Sequence, residues 1–293
     1  MITSSAPGSM IIFGEHSVLR GKHAIILAIN KRIHVNLEPR KDDLIYIESP
    51  LGQTTVSLNN IVVQQPLQYV LQTLKTFPLT TGLNIKITSE MSPTMGFGTS
   101  AAVVVALLAG LITLAKSDIA QLFSKALQVV RQVQGIGSGA DIMASIKGGI
   151  GLFQNDQYQP LAMPVELFYS YSGSKKPTSE VVNLVANNFA NHPELLQNLD
   201  NANDALTLEA TKYLTKSKNL GELFNISAGI MEAFGVHTKA LENFLWELRE
   251  QSCGAKLSGS GLGDCAIGVV KNGFYPKDCF PIVISPKGLK LHG

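Results

Sequence analysis

The chain has 293 residues, of which 45% are hydrophobic and 16% charged, and its formal net charge is +2. That length allows two lobes with a sizeable core, and the near-neutral balance argues against nucleic acid or an anionic membrane surface as a partner. Cys253, Cys265 and Cys279 are too few and scattered for a disulfide framework or a Cys-x-x-Cys zinc site.

The first third reads as strands at Met10–Gly14, His23–Asn30, Arg32–Glu38, Leu44–Glu48, Thr54–Leu58 and Leu83–Thr88. The last of these alternates Leu83, Ile85 and Ile87 with polar residues, the period of a half-buried strand. A helix at 64–77 interrupts the series, with Leu67, Val70, Leu71 and Leu74 on one face. Next come the loop Pro93-Thr-Met-Gly-Phe-Gly-Thr-Ser and the small, apolar run Ala101–Ala115, which reads as a buried helix too short to span a bilayer. A second helix starts at Ser117, read as its N-cap, and carries Ile119, Leu122, Phe123, Ala126, Leu127 and Val130 at helical spacing. The glycine cluster 135–139 ends it and leads to Asp141; Gly148-Gly149 then introduces an apolar strand to Phe153.

The polar, proline-bearing stretch Asn155–Pro164 is the predicted link between lobes. Beyond it lie a strand at Glu166–Tyr171 and helices at Thr178–Ala190, Asp204–Leu214, Leu220–Phe234 and Thr238–Glu250. The segment Ser258-Gly-Ser-Gly-Leu-Gly263 precedes an apolar strand to Val270, and a short strand near Pro281–Ile284 closes the chain. Helices and strands mix without regular alternation, so the expected class is α+β rather than a doubly wound parallel sheet. The opening residues lack the charged-then-apolar pattern of a secretory signal, and the predicted location is cytoplasmic.

Strand, glycine loop and helix N-terminus form a layout suited to phosphate. Gly96 and Gly98 let the backbone come close to an anion, and the helix start supplies free N–H groups and partial positive charge. Thr99 and Ser100 stand where a hydroxyl meets a phosphate oxygen or a metal. No glycine loop here ends in Gly-Lys-Ser/Thr, and Gly259, Gly261 and Gly263 precede a strand instead of opening a helix. Neither the P-loop nor the dinucleotide pattern is therefore met. Asp141 has two readings, a helix-start carboxylate that stabilises the dipole or a proton acceptor beside a phosphate site. Glu15 reads as an anchor of the Gly14 turn, and His16 as a hydrogen-bonded structural residue. Ser258 would satisfy backbone groups beneath its glycine loop, and Thr178 and Ser179 would cap a helix.

Three segments in this order are similar to the GHMP kinase superfamily across nearly the whole chain: Ala6-Pro-Gly through Gly14-Glu15-His16 to Gly21-Lys22, the loop 93–102, and Lys256-Leu-Ser-Gly-Ser-Gly-Leu-Gly-Asp-Cys-Ala266. The first and last look most like its mevalonate kinase branch. The resemblance implies a two-lobed fold, with an N-terminal lobe like domain 2 of ribosomal protein S5 over 1–157, built on a left-handed crossover. A ferredoxin-like lobe would follow over 158–293. It implies ATP as phosphoryl donor with Mg2+, and transfer to the 5-hydroxyl of mevalonate. Phosphomevalonate, a sugar, or a non-catalytic nucleotide-binding role are the alternatives. By the same resemblance Pro93, Met95, Gly96, Phe97, Gly98, Thr99, Ser100 and Ala101 wrap the triphosphate, and Ser100 also meets the metal. Asp141 would be catalytic, while Glu15, His16 and Ser258 would face the substrate. The implied partner is a small molecule, and the apolar strands of the first third offer a homodimer face.

Two positions depart from the pattern. The lysine that mevalonate kinases carry directly after Ala-Pro-Gly is Ser9 here, and the glutamate expected as a magnesium ligand on the helix before the aspartate is Val130. A hydroxyl cannot supply the charge that holds an aspartate ionised. Lys22, Arg131 and Lys147 are the candidates to replace it in space, and Lys175 or Lys176 would lie near the phosphates. The expected result is an active kinase with altered charge and metal support.

Overall fold

The computed structural model describes residues 1–92, 95–173, 176–263 and 265–292. Strands β1 (Ile2–Phe13) and β2 (Ala24–Pro39) run antiparallel and form the spine of the first sheet. Both exceed the sequence reading. The opening Ser-Ser-Ala-Pro-Gly stretch has little strand propensity, yet it is held along β2, and the two expected segments 23–30 and 32–38 are one strand. The β1–β2 register slips between Pro7 and Ser9. Such a bulge turns the chain and re-aims the side chains that follow.

The sheet continues through β3 (Leu44–Ser49), β4 (Gly52–Ser57) and β5 (Leu83–Ser89), in the spatial order β1-β2-β5-β3-β4, with β3 parallel to β5. Helix α1 (Gln68–Thr76) starts later than its hydrophobic period indicates, after Pro66, and buries Val70, Leu71 and Leu74. Helix α2 (Thr99–Leu114) packs against β1 and β2 with nearly its whole circumference buried. A helix apolar all round must lie in a core. Helix α3 (Leu122–Gln134) begins after a 3-10 turn capped by Asp118, not at Ser117. Helix α4 (Ala140–Lys147) follows Gly139 directly.

Strands β6 (Ile150–Gln154) and β7 (Gln157–Leu161) form a hairpin on β2, so part of the expected linking stretch is strand. A second, four-stranded antiparallel sheet contains β8 (Leu167–Tyr171), β9 (Gly254–Ser258), β10 (Cys265–Val269) and β11 (Phe280–Pro281). Between β8 and β9 the chain forms α5 (Thr178–Asn188), α6 (Pro193–Ala210), α7 (Ser217–Ala233) and α8 (Lys239–Gln251). Helix α6 starts well before its expected position, with Pro193 in its first turn, a site that needs no N–H donor. Helix α5 is capped by Pro177 without a side-chain bond, so Thr178 is its first residue rather than its cap. A last strand, β12 (Lys290–His292), returns to pair with β1. The chain is thus a mixed α and β fold with two sheets, and among the described residues no helix is long and apolar enough to cross a membrane.

Candidate active site

The ends of β1 and β9 meet the N-termini of α2 and α4 around an open cleft of ≈ 1090 Å³. Gly96, Gly98, Thr99, Ser100 and Ala101 form one wall and Asp141 another, while Glu15, His16 and Ser258 complete it. Sequence segments far apart in the chain are therefore brought together as expected, with exceptions on the glycine loop. Phe97 is buried, its ring edge-on to Tyr169 at 5.0 Å between centroids, so it anchors the loop and does not line the cleft. Met95 packs on the core. Pro93, Lys175 and Asp264 lie outside the described residues.

At the start of α2 the first helical bond runs from the Ala102 N–H to the Gly98 carbonyl, 3.0 Å, and no side chain caps the helix. The N–H groups of Thr99, Ser100 and Ala101 thus have no helical acceptor and point, with the helix dipole, toward the cleft mouth. Such an arrangement can take an anion on its backbone amides. Gly98 has φ +60°, and a methyl group there would collide with the Ser9 hydroxyl. Only glycine meets both demands.

Ser9 connects the phosphate turn to Asp141. Its N–H donates to the Phe97 carbonyl at 2.9 Å, and its hydroxyl donates to Asp141 Oδ1 at 2.8 Å. The residue standing at the family's lysine position therefore orients the carboxylate through a hydrogen bond and adds no charge. Of the three cations proposed as replacements, Lys22 bonds Asn201 at 2.7 Å and Arg131 bonds the Gly137 carbonyl at 3.0 Å, while Lys147 is exposed. Arg131 thereby braces the glycine cluster that introduces α4. Val130 lines the cleft, so α3 presents an apolar wall where the pattern has a carboxylate.

The opposite corner carries a buried ion pair. Glu15 and Lys256 are both almost fully buried, and the Lys256 ammonium pairs with Glu15 Oε1 while also donating to the Leu257 carbonyl at 2.5 Å. Burial pushes the Glu15 carboxyl up and the Lys256 ammonium down, each toward its neutral form, and their mutual attraction opposes that. Asn203 donates to the Glu15 carbonyl at 2.9 Å, and Asp200 holds Ser17 at 2.8 Å and Arg20 at 2.6 Å, so α6 fixes this corner from outside. His16 sits at φ +60° in a buried position, its Nε2 donating to the Ser260 carbonyl at 2.7 Å. Burial lowers its pKa, which keeps the ring neutral. Among the described residues Glu15 Oε2 and His16 Nδ1 each lack a hydrogen-bond partner, and both residues border the cleft. Ser258 donates to the Ile11 carbonyl at 2.9 Å, tying β9 to β1, and lines the cleft.

Sequence reasoning missed a second cavity, of ≈ 830 Å³, that shares Thr99 and Ser100 with the first. Its walls are mostly apolar and include Leu51, Pro66, Tyr69, Ile87 and Val103. These residues come from a hairpin turn, a helix start and a strand, and no motif marks them.

Backbone amides at a helix start, two clefts joined at that start and a positioned carboxylate define a phosphate-handling enzyme site on a two-sheet fold. The GHMP kinase N-terminal domain model matches residues 60–149 and the GHMP kinase C-terminal model residues 193–277. Mevalonate kinase of Archaeoglobus fulgidus is 35% identical over 98% of this chain and 99% of that protein. The Pyrococcus horikoshii mevalonate kinase is 31% identical over 90% of this chain and 87% of its own. A crystal structure of mevalonate kinase superposes with a TM-score of 0.81 at 21% identity, covering 98% of this chain and all of that one. The chain belongs to the GHMP kinases.

Proposed function

We propose that the protein transfers the γ-phosphoryl group of ATP to the 5-hydroxyl of mevalonate. The observation that carries this reading is Asp141, held by Ser9 across the same cleft as the uncapped start of α2. Phosphoryl transfer needs alignment and charge stabilisation more than covalent help. The amides of Thr99 to Ala101 take the β- and γ-phosphates, and the apolar cavity next to Thr99 and Ser100 takes the adenine ring. Asp141 accepts the proton of the attacking alcohol. The unpartnered Glu15 Oε2 and His16 Nδ1 mark the wall where the acceptor's polar end lies. Mevalonate as acceptor is supported by the names of the 35% and 31% identical relatives.

Mg2+ fits the donor set. Ser100 and Asp141 supply hard oxygens, while Glu15 is committed to Lys256. Magnesium commonly uses one or two carboxylates with substrate phosphates and water, so loss of a glutamate at Val130 is tolerable. When bound, the ion would neutralise phosphate charge, and Ser100 and Asp141 are the residues that would hold it. Two units, 1–157 and 158–293, flank the cleft in this proposal; the two sheets support it, with β7 and β12 reaching back to the first sheet.

A phosphorylated acceptor would call for clustered cations, and the described residues lining the cleft include no Lys or Arg. ADP release with magnesium-ATP and a panel of mevalonate, phosphomevalonate and simple sugars tests the reading. Turnover on mevalonate is expected. Turnover confined to phosphomevalonate moves the assignment one substrate along, and ATP binding without turnover on any acceptor rejects catalysis.

A further inference from the structure

Away from the cleft, the corner between α7 and α8 gathers Glu232, His237 and Glu242, each offering one ligand atom within 4.8 Å of the others. Glu232 stands on the last turn of α7, Glu242 on the first turn of α8, and His237 on the short connection between them. The imidazole is the unusual member. Its side chain is only 4% exposed, its Nδ1 lies 3.8 Å from Glu242 Oε1, beyond hydrogen-bond reach, and its buried Nε2 has no partner among the described residues. Nδ1, the nitrogen nearer Glu242, is the one that an ion held between the three residues would take as ligand, while Nε2 lies on the far side of the ring.

We propose that Glu232, His237 and Glu242 form a binding site for a divalent transition-metal ion of the zinc class, distinct from the ATP cleft. One nitrogen and two carboxylate oxygens suit zinc or a neighbouring first-row ion better than magnesium or calcium, which prefer all-oxygen shells. His237 and Glu242 need to close in by only a fraction of an ångström, while Glu232 lies within 4.8 Å of both. Zn–N and Zn–O bonds of about 2.0–2.2 Å place adjacent ligand atoms about 3–3.5 Å apart, against the 3.8 Å between Nδ1 and Oε1. Burial keeps the ring neutral, its pKa pushed down to about 4, so the nitrogen lone pair is available at neutral pH. The Arg249 guanidinium lies in the field of both carboxylates, while its Nε is held by the Ala255 carbonyl at 3.2 Å. Lys256 also acts on His237 from behind. These charges weaken the site, and burial together with the neighbouring Glu232, which hydrogen-bonds to it, raises the Glu242 pKa, so an entering ion displaces the proton that the two carboxyls share.

The position gives the ion a structural role. Val236, next to His237, accepts a 2.7 Å hydrogen bond from the Leu262 N–H, and Gly261, at φ +101°, leaves 2.6 Å between a would-be Cβ and the Val236 side chain. The glycine turn that carries Ser258 and Ser260 into the cleft therefore rests on this corner. A metal that clamps α7 to α8 stiffens the support of that turn.

The test uses the full-length protein, stripped with a chelator, desalted and kept free of nucleotide, so it is independent of the kinase reading. Zinc is titrated against a chromophoric competitor, and cobalt is added in parallel to read its visible d–d absorption. One zinc per chain is expected, with a rise in Tm on addition. His237→Gln and Glu242→Gln should each weaken zinc binding by at least about tenfold and abolish the cobalt bands and the Tm rise. The Glu242 side chain is 37% exposed, so its amide variant keeps the fold, as circular dichroism will verify. Asp141→Asn should bind zinc as the unmodified protein does. Absence of zinc uptake, unchanged affinity in both corner variants, or loss of binding in Asp141→Asn overturns the site.

Discussion

The two carboxylates at the cleft are supported in opposite ways. Asp141 is half-buried and steadied by the neutral hydroxyl of Ser9, whose backbone N–H also grips the Phe97 carbonyl of the glycine turn. Glu15 is sealed away with Lys256 and backed by Asn203. A carboxylate that must gain and lose a proton in each cycle cannot be clamped inside a buried ion pair, because the pair's attraction opposes protonation. One that fixes a turn can be. The contrast separates the chemical corner of the proposed reaction, at Asp141, from a scaffolding corner whose buried pair fixes the turn on the acceptor's wall, and each prediction below strikes one of them.

The largest effect falls on the chemical corner. Asp141→Asn keeps the shape and removes the proton acceptor, so kcat should drop by about 10²–10⁴-fold while ATP affinity changes little. Steady-state kinetics with equilibrium nucleotide binding decides it, and a fully active variant removes Asp141 from the mechanism.

The scaffolding corner should respond in stability instead. Lys256→Met strands the Glu15 carboxylate in the core, which costs about 3–5 kcal/mol. Adding Glu15→Gln should restore a large part, since no buried charge is then uncompensated. Urea unfolding of the four proteins measures this, and a single-variant loss below about 1 kcal/mol would show that the pair is not sealed from water.

How much of this was legible in the sequence follows the same division. The glycine loop and the start of α2 were readable because glycines ahead of a small, apolar run mark a helix start, and the motif order led to the expectation that Asp141 shares their cleft. The Glu15–Lys256 pair was not, since its members are 241 residues apart and each looks ordinary locally. Thr178 was read as a cap, whereas Pro177 takes that position and Thr178 lines the cleft. The first half of β1 was missed because pairing to β2, not propensity, makes it a strand. The loss of lysine at position 9 was visible, but its consequence was not. Only coordinates show Ser9 bridging the two, its N–H on the Phe97 carbonyl and its hydroxyl on Asp141.

That bridge gives the next prediction. Ser9→Ala removes a hydrogen bond to a charged group, about 1.5–3 kcal/mol, so kcat should fall roughly 10–100-fold with the fold intact. Gly98→Ala drives a methyl into the same hydroxyl and should harm activity comparably. In the Ser9→Ala background the collision is gone, so adding Gly98→Ala should cost only its backbone strain, about 1–2 kcal/mol. A double-mutant cycle reads the coupling. Strict additivity would mean that the two residues do not meet.

The smallest effect returns to the scaffolding corner through His16. Burial lowers its pKa below the ordinary 6.5, and Nε2 is committed to the Ser260 carbonyl. The unfolded chain therefore binds a proton at a pH where the native ring does not. By linkage, stability is full above about pH 6.5 and falls as the pH drops toward the native pKa, with a slope of at most about 1.4 kcal/mol per pH unit for one group. His237 is depressed in the same sense, so it sets a parallel background. Unfolding free energies between pH 7 and 5 should decline less steeply in His16→Gln than in the unmodified protein, while the slope lost with His237→Gln should be separate and additive. Equal slopes with and without His16 would mean that its ring takes up a proton inside the fold, and the rigid corner opposite Asp141 would then be the more adaptable of the two.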